Sequence, residues 1–167
     1  MATVPKSLLS TRTLWRPLVQ EDLAYVAALE TRIHLAPWSY GNFRDTLAAG
    51  YSARVGEREG RIVAYGVLML APGEAQLLNL SVVPDARRLG LGRELLYQFM
   101  RDAKARLAEH VFLEVRVSNV PAIRLYQSAG FVAVARRERY YPPTPDGHRE
   151  DALVMRCELT PERRFDA

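Results

Sequence analysis

Apolar and polar positions change period several times along the chain, and each change marks an element. After a polar start, "TLWRPL" (13–18) alternates like a short strand, and "QEDLAYVAALETRI" (20–33) turns helical, with Leu23, Val26, Ala27 and Glu30 on successive turns. A shorter helix follows at "YGNFRDTLAAG" (40–50), ended by Gly50. "YSARVGEREGRIVAYGVLML" (51–70) holds two strand-like runs around a charged turn from Glu57 to Gly60, the pattern of a hairpin. A turn at "APGEA" (71–75) leads into "QLLNLSVVP" (76–84), a third meander strand closed by Pro84.

From Leu91 the period becomes helical. Leu91, Leu95, Leu96, Phe99, Met100, Ala103 and Leu107 form one apolar stripe, with charged residues on the other faces. "VFLEVRV" (111–117) alternates again, and "SNVPAIRLYQSAG" (118–130) is a capped helix with Asn119 as N-cap, Pro121 in its first turn and Gly130 past its end. "FVAVARRERYY" and "DALVMRCEL" make a last pair of strands around "PPTPDGHRE". Seven strands and four helices in this order predict an α/β (α+β) fold with a central mixed sheet.

The 167 residues suit one domain, residues 1–167, with a core over about 12–160 and short mobile tails at both ends; the polar "PERRFDA" tail in particular is expected to stay free. At 49% hydrophobic and 25% charged, the chain has the composition of a globular protein, and no apolar run approaches a membrane span. "MATVPKSLLS" lacks the apolar stretch of a secretory signal, and the lone Cys157 cannot form an internal disulfide, so a cytoplasmic setting is expected. A net charge of +4 suits an anionic partner: nucleic acid, a ribosome surface or a phosphorylated cofactor. The arginines are scattered rather than blocked, so direct nucleic-acid binding is not expected.

The candidate chemistry begins at "RRLGLGRELL" (87–96), where a strand-like run ends and the long helix begins. Unpartnered amides and the helix dipole make such a start attractive to a phosphate. Gly90 and Gly92 bare the backbone there, and Arg87, Arg88 and Arg93 add charge. The segment has neither the Gly-Lys-Ser/Thr ending of a nucleotide P-loop nor the G-x-G-x-x-G spacing of a dinucleotide fold. Read alone, it serves either an anion or a simple turn between solvated arginines.

"RRLGLG", arriving after "LNLSVVP" and leading into an amphipathic helix, resembles the acetyl-coenzyme A signature R/Q-x-x-G-x-G/A of the GNAT superfamily of N-acetyltransferases. "LEVRVSNVPAIRLYQSAGF", "PWSY" and "RRERYYPPTPDGHREDALVM" are similar to the branch of that superfamily that acetylates ribosomal-protein N-termini, and the resemblance runs over roughly residues 12–160. It departs at Val83, where an acidic residue is usual, and at Leu89, where a more polar one is. The resemblance implies the GNAT fold, a mostly antiparallel twisted sheet flanked by helices, and acetyl-coenzyme A as cosubstrate with no metal. It also implies an acceptor that is the N-terminal alanine of a small-subunit ribosomal protein; a monomer that meets no membrane is expected. Residue by residue, the backbone of Leu80, Ser81 and Val82 would hold the pantetheine arm and polarise the thioester. Arg88, Leu89, Gly90, Leu91, Gly92 and Arg93 would wrap the pyrophosphate, with Arg87 at the motif's first position and Asn119 also on the cofactor.

Acetyl transfer to an amine needs a proton acceptor, an oxyanion stabiliser and a proton for the leaving thiolate. Glu114 alternates with Phe112 and Arg116, away from Val111, Leu113, Val115 and Val117. The pattern alone pairs it with an arginine on a solvated face; the resemblance makes it the general base, direct or through water. Tyr126 shares a stripe with Ala122, Leu125 and Ala129 and packs the core by spacing; by resemblance it is the general acid. A free α-amine, with a pKa of about 7.7–8.0, sheds its proton far more readily than lysine at about 10.4, which favours an N-terminal acceptor. Tyr140 and Tyr141, in the loop between the last strands, and Trp38 and Tyr40, between the first helices, are either ordinary surface aromatics or, by resemblance, a peptide site formed by Trp38, Tyr140 and Tyr141. Cys157 alternates with Leu153, Met155 and Leu159 and reads as a core thiol, while His34, His110 and His148 lack metal-ligand spacing. A broader lysine or small-amine acetyltransferase, and a non-catalytic module that binds coenzyme A or the ribosome, are the other functions this reading admits.

Overall fold

A computed structural model gives the fold and describes residues 12–166; the expected N-terminal tail, residues 1–11, lies outside them. Strand β1 (Leu14–Pro17) enters a single-turn 3-10 helix and then helices α1 (Leu23–Ile33) and α2 (Tyr40–Ala48). Strands β2 (Ser52–Arg58), β3 (Arg61–Ala71) and β4 (Glu74–Val82) form the meander, followed by α3 (Leu91–Ala105), β5 (His110–Arg116), α4 (Val120–Ser128), β6 (Val132–Arg137) and β7 (Ala152–Glu158). The order of elements is the one the pattern predicts. Tyr40 opens α2, as the helical pattern from residue 40 predicts and not as a residue of the preceding loop, with Ser39 as the cap accepting from the Asn42 amide.

The seven strands form one sheet in the order β1-β2-β3-β4-β5-β7-β6, antiparallel except for β4 and β5. β3 lies near its middle and is buried over Ile62–Leu68, which explains why its sequence is a continuous apolar run rather than an alternation. Helices α1 and α2 cover one face around Leu23, Val26, Phe43, Val55, Tyr65 and Val67. Helices α3 and α4 cover the other, where Leu91, Leu95, Leu96, Phe99, Met100 and Ala103 are all essentially inaccessible. Each large side chain of that stripe contributes about 2 kcal/mol of burial.

Two expectations fail at the ends of this layer. Leu107 was expected to extend the stripe, yet it is 83% exposed: α3 stops at Ala105 and Leu107 adopts a left-handed backbone (φ 60°), letting the Ala108 amide return to the Ala103 carbonyl. The tail expected to be free is instead packed. Phe165 is 3% exposed, its ring 5.6 Å from Tyr97 in an edge-on contact. Arg101 and Lys104 of α3 bond the carbonyls of Phe165 and Arg163, and Arg163 Nη2 donates to the Ala129 carbonyl at 2.7 Å. A side chain at Gly130 would strike that guanidinium, so the glycine that ends α4 also makes room for the tail.

The feature that positions the site is a parting of strands. β4 pairs with β5 only from Glu74↔His110 to Leu77↔Leu113, although both strands run on. Against β3 the register jumps from Leu68↔Leu77 to Val67↔Asn79, so Leu78 is an extra residue in β4. Such a bulge bends the strand locally. Beyond it, backbone groups of Leu80–Val82 that point away from β3 have no strand to meet.

Candidate active site

Two adjoining cavities open where β4 and β5 separate. The larger, of about 630 Å³, is walled by Leu80, Ser81 and Val82 of β4, by Arg87, Arg88 and Gly90 of the following loop, by Leu91, Gly92 and Arg93 at the start of α3, and by Asn119, Ala122, Leu125 and Tyr126 around α4. Every residue assigned to the cofactor lines it except Leu89, whose partly buried side chain packs against the core cluster instead. Gly90 is the N-cap of α3 in a left-handed conformation (φ 79°), and no side chain caps the helix. The free amides of its first turn therefore face the cavity together with three arginines, a setting made for phosphate. Asn119 accepts the Ala122 amide through its side-chain oxygen, as an N-cap does, which leaves its amide hydrogens for a ligand. These donors, with the unpaired edge of β4 beside them, fit a long phosphate-bearing cofactor.

The smaller cavity, of about 200 Å³, is lined by Glu30, His34, Trp38, Asn79, Glu114, Arg116 and Tyr141 among others. The two cavities share His34, Leu80, Asn119 and Tyr126, so their contents would meet there. Tyr126 is 8% exposed and stacks edge-on against Phe131. Its hydroxyl makes no hydrogen bond with another described residue, and burial pushes it above the ordinary phenol range. Glu114 lies on the half-buried face of β5, as the alternation predicts, and ion-pairs with Arg137 at 3.2 Å, close enough to Tyr140 to raise the pKa of its hydroxyl. The arginine pairing read from the pattern is present, and the same carboxylate lines the cavity.

The aromatic candidates divide. Trp38 and Tyr141 line the smaller cavity, with the Arg116 guanidinium 4.1 Å over the Tyr141 ring. Burial, then the nearby Glu114, pushes the Tyr141 hydroxyl up to about 12. Tyr140 is not on the cavity wall; it stands half-exposed, edge-on to Tyr141 and beside Glu114. Cys157 is buried beneath the sheet. Among the described residues, no three histidine, cysteine or acidic side chains stand close enough to hold a metal, and no helix is long and apolar enough to cross a membrane.

Sequence reasoning missed a polar cluster under the smaller cavity. Glu30, counted among the stripe positions of α1, is 1% exposed and accepts from the Tyr65 hydroxyl (2.5 Å), the Asn79 amide (3.3 Å to each oxygen) and the Trp38 backbone N–H (3.2 Å). Asn79 accepts from Ser81 at 2.7 Å, and His34 Nε2 lies 2.6 Å from the same serine. The available signal was a carboxylate on an apolar helix stripe with a histidine four residues on.

This layout, a phosphate-ready cleft joined to a compact acid-lined cavity at a buried tyrosine, suits group transfer from a long anionic donor to a small acceptor. The chain belongs to the acetyltransferase (GNAT) family, whose sequence pattern matches residues 18–131, and enzymes of this family draw their acetyl group from acetyl-coenzyme A. It is 39% identical over 134 residues to the [ribosomal protein bS18]-alanine N-acetyltransferase of Escherichia coli strain K12, covering 80% of this chain and 89% of that one. The Haemophilus ducreyi protein of the same name is 35% identical over 138 residues, covering 83% and 94%. The crystal structure of the Escherichia coli ribosomal-protein alanine N-acetyltransferase superposes with a TM-score of 0.82 at 35% identity, covering 91% of this chain and 98% of that one.

Proposed function

We propose that the protein acetylates the N-terminal alanine of a small-subunit ribosomal protein; its relatives are named [ribosomal protein bS18]-alanine N-acetyltransferases. The observation that carries this reading is the junction of the two cavities at Leu80, Asn119 and Tyr126. Bound acetyl-coenzyme A supplies a thioester carbonyl open to attack. The α3 amides with Arg87, Arg88 and Arg93 hold its phosphates, the Leu80–Val82 backbone holds the arm and steadies the developing oxyanion, and Asn119 adds an amide donor. Glu114 accepts the proton released as the amine attacks, and Tyr126 gives its proton to the departing sulfur. Transfer is direct, with both substrates bound together. Trp38 and Tyr141 leave a cavity of about 200 Å³, room for a small first residue, while Tyr140 orients Glu114. On this reading the whole chain, residues 1–167, works as one monomeric cytoplasmic domain that meets the ribosomal protein and neither nucleic acid nor membrane.

Mass spectrometry tests it. Peptides beginning with alanine, the same peptides N-blocked but containing lysine, and simple amines are each incubated with enzyme and acetyl-coenzyme A. One added acetyl group on the free α-amine alone is expected. Acetylation confined to lysines or small amines would overturn the N-terminal assignment, and no transfer at all would overturn the enzymatic reading.

A further inference from the structure

His34 occupies a place the proposed reaction leaves unused. It caps the C-terminal end of α1, lines both cavities, and stands where donor and acceptor would meet. Its protonation geometry follows from its neighbours. The Asn79 amide nitrogen faces Glu30, so its carbonyl oxygen takes the one hydrogen of Ser81. The Ser81 oxygen, 2.6 Å from His34 Nε2, must then accept from the ring. A neutral His34 therefore carries its hydrogen on Nε2 and a lone pair on Nδ1, which bonds no described residue. Behind the ring, Glu30 Oε2 lies 3.6 Å from Nε2 and accepts from Tyr65 and Asn79, while the other carboxylate oxygen accepts from Asn79 and the Trp38 amide.

We propose that His34 Nδ1 is a second proton acceptor of the active site, taking the first proton from the incoming α-ammonium, with Glu30 as the counter-charge behind the ring. The inference rests on the acetyl-transfer reading above. An ammonium must lose two protons to become an amide. His34 takes the first, which frees the lone pair; the C–N bond forms and the C–S bond breaks. Glu114 takes the second, the sulfur receives the Tyr126 proton, and exchange with solvent resets all three groups with a net release of one proton. The groups facing His34 suit this task. Burial, with Arg87 from the loop after β4 and Arg116 from β5, holds the imidazole below its ordinary range, against the opposing pull of Glu30. Tyr65 on β3, Glu114 on β5, Tyr126 on α4 and Tyr141 in the β6–β7 loop complete the titratable surroundings. The ring thus arrives unprotonated near neutral pH.

The test is the pH profile of kcat/KM for a peptide beginning with alanine, measured for the wild type, His34→Gln and Glu114→Gln from pH 6.5 to 9. At pH 6.5 only about one α-amine in twenty is neutral, whereas at pH 9 nearly all are. A His34→Gln enzyme confined to the neutral form is expected to be about tenfold or more deficient at the acidic end and within about twofold of wild type at the alkaline end. Glu114→Gln is expected to stay low throughout. A His34→Gln deficit equal at every pH marks a structural role, and no deficit at pH 6.5 marks no role; either overturns the proposal. Nitrogen-15 NMR of labelled histidine in the free enzyme reads the tautomer directly, and an Nδ1–H form at pH 7 would also overturn it. A wild type that acetylates no amine would bring down the transfer reading itself, and this inference with it.

Discussion

Removing the Tyr126 hydroxyl separates the two roles of that side chain. The ring packs against Phe131, while the hydroxyl bonds no described residue. Tyr126→Phe is therefore expected to leave stability within about 1 kcal/mol of wild type, because no internal hydrogen bond is lost. It is also expected to lower kcat roughly 100-fold, the scale of a general acid. Steady-state kinetics beside a thermal melt checks both, and an unchanged kcat would move the proton donor elsewhere. His34 carries a second residue-scale prediction. Its folded-state pKa lies below the unfolded value near 6.5, so the unfolded chain binds the extra proton first as pH falls. Stability from this group is fully present above that value and is lost on acidification toward the folded pKa. Urea titrations at pH 7 and 5 should show wild type losing more stability than His34→Gln. None of this was legible from His34 alone. Glu30 could be read as an oddity on a buried stripe, but Tyr65 and Asn79 converge on it from β3 and β4, with Ser81 linking Asn79 to His34, and sequence spacing does not reveal which strands meet.

At the scale of elements, local signals carried the reading far. Caps, glycine stops and changes of period depend on neighbours a few residues apart, and Asn119, Pro121 and Gly130 all stand where those signals put them around α4. The departures are equally physical. Leu107 fits the apolar period, yet a left-handed turn ends the helix before it, because period does not register backbone handedness. The bulge at Leu78 carries no residue signature, although it separates β4 from β5 and so opens the site. Gly90 is the element-scale test. An added methyl would meet no atom within 4 Å, so Gly90→Ala is strained only by its φ of 79°. That strain costs about 1–2 kcal/mol. Relieving it shifts the first amides of α3, so the KM for acetyl-coenzyme A is expected to rise severalfold while the acceptor KM holds. A rise in the acceptor KM alone would mean that the α3 start does not hold the donor.

The C-terminal segment ties these elements into one molecule. Its composition is polar, with a single aromatic, and its partners lie far back in the chain, Arg101 being 64 residues before Phe165, so nothing local distinguishes it from a free tail. In the fold, Phe165 fills a place against Tyr97 of α3, and Arg163 bonds the carbonyl of Ala129 where α4 ends. Tyr97 in turn holds Arg93, whose Nε and Nη2 donate to its hydroxyl at 3.2 and 2.9 Å. A line of contacts thus runs from the last residues to an arginine on the wall of the larger cavity. Phe165→Ala removes a buried ring and is expected to cost about 3 kcal/mol in urea unfolding. Loosening Tyr97 should free Arg93 as well, raising the acetyl-coenzyme A KM about two- to threefold, well under 1 kcal/mol, while the kcat set by Glu114 and Tyr126 changes little. Phe165→Leu, which refills most of the volume, should recover most of both effects. If stability fell and the KM did not move, the segment would be a clamp on the α3–α4 layer alone, with Arg93 held by Tyr97 whether or not the tail is docked.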